Sequence, residues 1–219
     1  MTQKDVTSPD GIARLFGTEN GYRFARWGRP IAPVVFGTDD ESLTHIKAAI
    51  TQTVDVTGQK TVETDPELGS NFMWFFCSEW DEVAEVPDLD KLIPGLDGVL
   101  QKLEAQDANQ YRYFAFDAEG GIKFCAVLLR LKNHVAELPV QVLITGETVK
   151  SLLLWSPQAF AEDSPIAVVK ENGICIVKPE YAALIRAAYD PVMPVSADDP
   201  SHALRLSARA GLLLKELTE

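Results

Sequence analysis

Apolar residues recur along this chain at two periods, and each change of period marks an element. Ser8-Pro9-Asp10 opens a short helix whose apolar positions are Ile12, Leu15 and Phe16. Residues 26–37 read as extended, and Pro30 and Pro33 predict an edge strand or one broken by a bulge. Thr38-Asp39-Asp40 then caps a helix, with Leu43, Ile46, Ala49, Ile50 and Val54 at helical spacing as far as Gly58. Residues 71–77, Asn-Phe-Met-Trp-Phe-Phe-Cys, are the most apolar short run and predict a buried central strand. From Asp88 to Asp107 the pattern is helical, but Pro94-Gly95 divides it into two helices. Residues 111–116 and 122–131 flank Asp117-Ala118-Glu119-Gly120-Gly121, the clearest hairpin signal in the chain.

Residues 140–155 read as the centre of the molecule. An apolar strand there runs directly into an apolar helix that opens near Glu147 and is broken at Ser156-Pro157. Two short strands, 166–169 and 174–177, turn at Glu171-Asn172-Gly173. A helix starts at Lys178-Pro179-Glu180 and stops at Asp190-Pro191, and a last helix is capped by Asp198-Asp199-Pro200-Ser201. These elements predict an α+β fold, with helices packed on a mixed or mostly antiparallel sheet and helices at the C-terminus. Residues 1–20 are expected to form a flexible N-terminus and a short helix, and residues 21–219 a single α+β domain.

Composition narrows the function more than the fold. With 32 acidic and 20 basic residues the net charge is -12, a field that repels phosphate backbones, so no nucleic-acid partner is expected. No run approaches the ~18 apolar residues of a membrane span, and residues 1–16 lack a signal-like apolar core. The expected compartment is the cytoplasm, or the periplasm if a leader has been removed. Cys77, Cys125 and Cys175 each sit in an apolar segment and read as buried thiols.

Candidate chemistry is sparse. There is no Gly-rich phosphate loop, GxSxG elbow or HExxH helix, and the only histidines are His45, His134 and His202. His45 reads as a surface histidine paired with Glu41 one turn away. Glu79, Asp81, Glu82 and Glu85 lack the glycine and alternation of a calcium loop and read as a solvated acidic face. Cys125 and His134 are the only Cys/His pair close in sequence, but the cysteine has the setting of a strand core. His134 and Glu137, three apart, would meet on one helical face and could serve metal or acid/base chemistry; an exposed polar connection between strands is the preferred reading. Glu147, with Thr145 as cap, suits the first turn of its helix, where a carboxylate favours the helix dipole; the alternative makes it a base or cation ligand facing a cleft. Glu147, His134 and Glu137 are thus the candidate site residues, with no cofactor and no metal ion expected.

The order of several segments resembles an uncharacterised bacterial family with a zincin-like, metallopeptidase-type fold. The resemblance rests on Arg26-Trp27-Gly28-Arg29-Pro30-Ile31 before Gly37, on Thr57-Gly58 followed by Asn71-Phe72, and on Leu184-Ile185-Arg186-Ala187-Ala188-Tyr189-Asp190-Pro191. It implies that the helix opening at Glu147 is the active-site helix and that Glu147 is its one matching acid. Thr145-Gly146-Glu147-Thr148-Val149-Lys150-Ser151 contains neither histidine of an HExxH segment, so a zinc-activated water has no support there. The expected function is a non-catalytic, metallopeptidase-like domain that binds a peptide or protein partner along an edge strand or beside the Glu147 helix. The alternatives are a hydrolase using Glu147 with His134 and Glu137, and a structural protein that self-associates as a homo-oligomer.

Overall fold

The structure, a computed structural model, describes residues 5–170 and 173–218. Helix α1 (Pro9–Leu15) starts where Ser8 Oγ accepts the Gly11 N–H at 3.1 Å. Short strands β1 (Gly17–Thr18) and β2 (Gly21–Tyr22) pair with each other, and β3 (Phe24–Ala25) leads on to β4 (Pro33–Phe36). Helix α2 (Asp40–Val54) is capped by Asp39, whose carboxylate accepts the Ser42 N–H at 2.8 Å. Strand β5 (Phe72–Cys77) follows, then α3 (Trp80–Ala84), α4 (Leu89–Leu92) and α5 (Leu96–Ala105), with the break between the last two at Pro94-Gly95. Strands β6 (Gln110–Phe116) and β7 (Ile122–Arg130) form the expected hairpin. The one-turn α6 (His134–Glu137), α7 (Val140–Leu152), β8 (Ile166–Val168), β9 (Cys175–Val177), α8 (Pro179–Ala188), β10 (Ser196–Ala197) and α9 (Ser201–Thr218) complete the described chain. Of the turn expected between β8 and β9, Glu171 and Asn172 lie outside the described residues.

The main sheet is mixed, with strand order β4-β5-β7-β6; β4, β5 and β7 are parallel and β6 is antiparallel to β7. Alternation of side chains sends Phe72, Trp74, Phe76, Cys125, Val127 and Leu129 to one face, where they join α2, α7, α8 and α9 in the larger core. Phe75, Cys77, Phe124, Ala126 and Leu128 pack on the other face with α3, α4 and α5. Burial on both faces is why β5 and β7 read as continuous apolar runs. Ile12, Leu15 and Phe16 belong to the larger core, and α1 packs on α9. Of the expected flexible start, Thr2 to Asp10, residues 2–4 lie outside the described residues, and α1 already begins at Pro9. Among the described residues no helix is long and apolar enough to cross a membrane.

One element differs from its expected form. No strand precedes Glu147: residues 140–152 are a single helix, α7, so Glu147 lies in its middle and Thr145 caps nothing. The helix is covered by the sheet, by α2 and by β8 and β9, so apolar side chains surround it and the helical period is erased. Gly146 does not break it but lets β8 come close; a β-carbon there would lie 3.4 Å from Ile166 Cδ1.

His202, in the first turn of α9, is fully buried against Phe24, and its Nδ1 lies 2.8 Å from the Tyr22 hydroxyl. Burial, with Arg205 nearby, lowers its pKa to about 4. Since the folded value lies below the ordinary 6.5, the neutral imidazole contributes its full stability above pH 6.5, and that contribution is lost as pH falls from 6.5 to 4. Unfolding free energies from urea titrations at pH 7.5 and pH 4.5 should differ by about 2 kcal/mol more in the parent than in His202→Phe. Equal pH slopes in the two proteins would refute the assignment.

Candidate functional site

Strand β6 is an edge of the main sheet and has a ladder on one side only. The Arg130 N–H donates to the Asn109 carbonyl at 2.9 Å, which sets the parity of the ladder: Tyr111, Tyr113 and Ala115 exchange hydrogen bonds with Leu128, Ala126 and Phe124. The N–H and C=O groups of Gln110, Arg112 and Phe114 therefore point away from β7, and no hydrogen bond from another described segment reaches them. All seven residues of β6 are half-buried. On one face Phe114 and Phe116 stack at 6.4 Å against the larger core, with the Arg23 guanidinium 5.0 Å above the Phe116 ring. On the other, Tyr111, Tyr113 and Ala115 pack on the smaller core.

Arg112 lies on the Phe114 face and crosses to α7. Its Nη2 is 3.1 Å from Oε2 of Glu147, whose side chain is 2 % exposed, and Lys150 Nζ donates to Oε1 at 2.8 Å. Two cations thus share one buried carboxylate. The Arg112 contact is close but off the hydrogen-bond direction, so Oε2 accepts no hydrogen bond and the interaction is coulombic. The Arg112 side chain keeps 18 % of its surface exposed, and its N–H donors make no hydrogen bond within the described residues. Lys150 sits one turn from Glu147 and is 27 % exposed.

The last turn of α7 is held by side chains from three other segments, Trp27, Trp155 and Tyr189. A helix ends with carbonyls that lack intrahelical donors. Here the Trp27 indole donates to the Ser151 carbonyl at 2.9 Å, the Tyr189 hydroxyl to Leu152 at 2.8 Å, and the Trp155 indole to Val149 at 3.0 Å. Arg26 lies over the Tyr189 ring and donates to the carbonyls of Trp27 and Met193. These residues, far apart in sequence, form a clamp on α7 inside the core.

The other sequence candidates lie apart from this cluster. His134 and Glu137 are both exposed on α6, and neither bonds to Glu147. His45 is exposed and forms no ion pair with Glu41. Cys125 is buried in mid-β7, where burial pushes its thiol up to about 12; all three cysteines are free and buried, as expected. Of the acidic group, Glu79 and Glu82 form a capping box at α3, and Glu79 also lies 3.8 Å from Arg130. Among the described residues no three His, Cys, Asp or Glu side chains come together as metal ligands would.

Sequence reading missed Arg112 and Lys150. Arg112 is visible as the single charge in Tyr-Arg-Tyr-Phe-Ala-Phe, but its edge position follows only from the strand order. Compared with family models, with curated proteins and with solved structures, the chain gives no significant match.

Proposed function

We propose that this is a non-catalytic domain, metallopeptidase-like in the order of its motifs, that binds an extended segment of a peptide or protein by adding it as a strand to β6. The observation that carries this reading is the unpaired outer edge of β6, three outward N–H and C=O pairs between half-buried aromatic rows. Main-chain groups would supply affinity, and the side chains on either face would supply selectivity. Glu147, buried and shared by two cations, is poorly disposed to act as a free base, and His134 and Glu137 do not join it.

Two copies meeting at this edge about a twofold axis in the register that pairs all three outward residues, Gln110 with Phe114, would set Arg112 against Arg112, like charges directly opposed. A different chain is the fitting partner, and the net charge of -12 argues against its being a nucleic acid. A reducing, cytoplasmic compartment suits the three free thiols.

Gln110→Pro tests the reading, because it removes an outward N–H and leaves the β6–β7 bonds in place. Peptides selected from a displayed random library should slow amide exchange at residues 110, 112 and 114 and bind Gln110→Pro roughly tenfold more weakly, with the melting temperature unchanged. Peptides that bind Gln110→Pro as well as the parent, or a library that yields no binder, would refute strand addition.

A further inference from the structure

We infer that the strand added to β6 carries a carboxylate side chain, aspartate or glutamate, opposite Arg112, and that the unused donors of the Arg112 guanidinium read it. The inference rests on strand addition at β6 and names what that site selects.

The charge count along this face is the first support. In a chain of net charge -12, Arg112 and Lys150 converge on one carboxylate, Glu147, at the face of β6 toward α7, and a third cation, Arg23, stands farther along the strand at Phe116. Arg23 lies over Phe116 and forms no ion pair within the described residues. Glu147 satisfies Lys150 through Oε1 and offsets Arg112 only partly, so two cations meet one anion here in a chain that is acidic as a whole.

Donor geometry is the second. A guanidinium presents five N–H groups in a planar fork that matches a carboxylate in two parallel hydrogen bonds. None of those of Arg112 is aligned on an acceptor among the described residues, although four-fifths of the side chain is buried. Glu147 braces one end of the fork from beneath and leaves the other donors to solvent. This limits the rotamer freedom a new partner would otherwise have to remove.

Position is the third. The backbone of Arg112 points outward, so the residue paired with it on an added strand stands about 5.5 Å away between α-carbons, with its side chain on the same face. A glutamate or aspartate there reaches the guanidinium; a lysine there would meet the charges of Arg112 and Lys150.

The experiment is selection from a displayed library of random, unphosphorylated peptides against the full chain, alongside Arg112→Gln, Arg112→Lys and Gln110→Pro. Binders of the parent should show Asp and Glu enriched roughly tenfold over Asn and Gln at one fixed position. Arg112→Gln should erase that preference, and Arg112→Lys, which keeps the charge without the fork, should retain a weaker one. Each variant's melting temperature separates loss of fold from loss of selectivity. Binders that Gln110→Pro blocks but that show no acidic preference, or a preference undiminished in Arg112→Gln, would overturn the carboxylate assignment and leave strand addition standing. A library with no binder would overturn both.

Discussion

Trp27→Ala is expected to lower folding stability by about 4 kcal/mol, the largest effect of any single substitution considered for this chain. Trp27 is 1 % exposed and packs edge-on against Phe72 at the start of the central strand, with ring centroids 5.7 Å apart. Its indole N–H also caps the Ser151 carbonyl in the last turn of α7. Alanine therefore opens a cavity beneath the sheet and leaves a buried carbonyl without its donor, and both costs fall on the same helix end. Trp27→Phe should recover about half of the loss, because it restores ring volume but not the N–H. Urea denaturation of the three proteins measures this directly. A loss below about 1 kcal/mol for alanine would mean that Trp27 does not hold α7 to the sheet.

Arg130 should show the second largest effect, and there the substitute decides the outcome. Its side chain is 0 % exposed, yet its carboxylate partners Glu104 and Asp107, at 2.7 Å and 2.6 Å, are 60 % and 69 % exposed. The guanidinium also donates to Asn109 and lies 5.5 Å from the Trp80 ring centre. Desolvation thus falls on the arginine alone, while the acids stay hydrated and tolerate losing it. Arg130→Ala should cost about 3 kcal/mol through the void left beside Trp80 and the loss at Asn109. Arg130→Met, which refills that volume without charge, should stay within about 1 kcal/mol of the parent. If methionine proved as damaging as alanine, the charged hydrogen bonds would outweigh the packing. Chemical denaturation at matched salt distinguishes the two outcomes.

The clamp on α7 is structural in its chemistry. Arg26, Trp27 and Tyr189 meet around the end of α7, and their interactions there are with ring faces and main-chain carbonyls. Such residues preserve a helix position whether or not that helix performs chemistry. Their role here is to seat α7, and it carries no information about a reaction.

Where the signal was local, the chain could be read without its fold. Ser8 and Asp39 cap their helices, Pro94-Gly95 divides α4 from α5, and the residues from Asp117 to Gly121 turn the β6–β7 hairpin, because each depends on backbone preferences within a few residues. The apolar run of β5 identified a strand buried on both faces for the same reason. Periodicity failed for α7, since a helix surrounded by protein has no polar stripe to reveal its period, and so the first two turns of that helix read as a strand. Strand order decided the rest. Only the placement of β6 at the edge set a charge within an aromatic strand beside unpaired main-chain groups, and only the packing of α7 across the sheet brought Glu147 to its guanidinium. Caps, turns and burial patterns are properties of neighbouring residues, whereas an edge, and a carboxylate shared by cations from two different elements, exist only once distant segments have been set side by side.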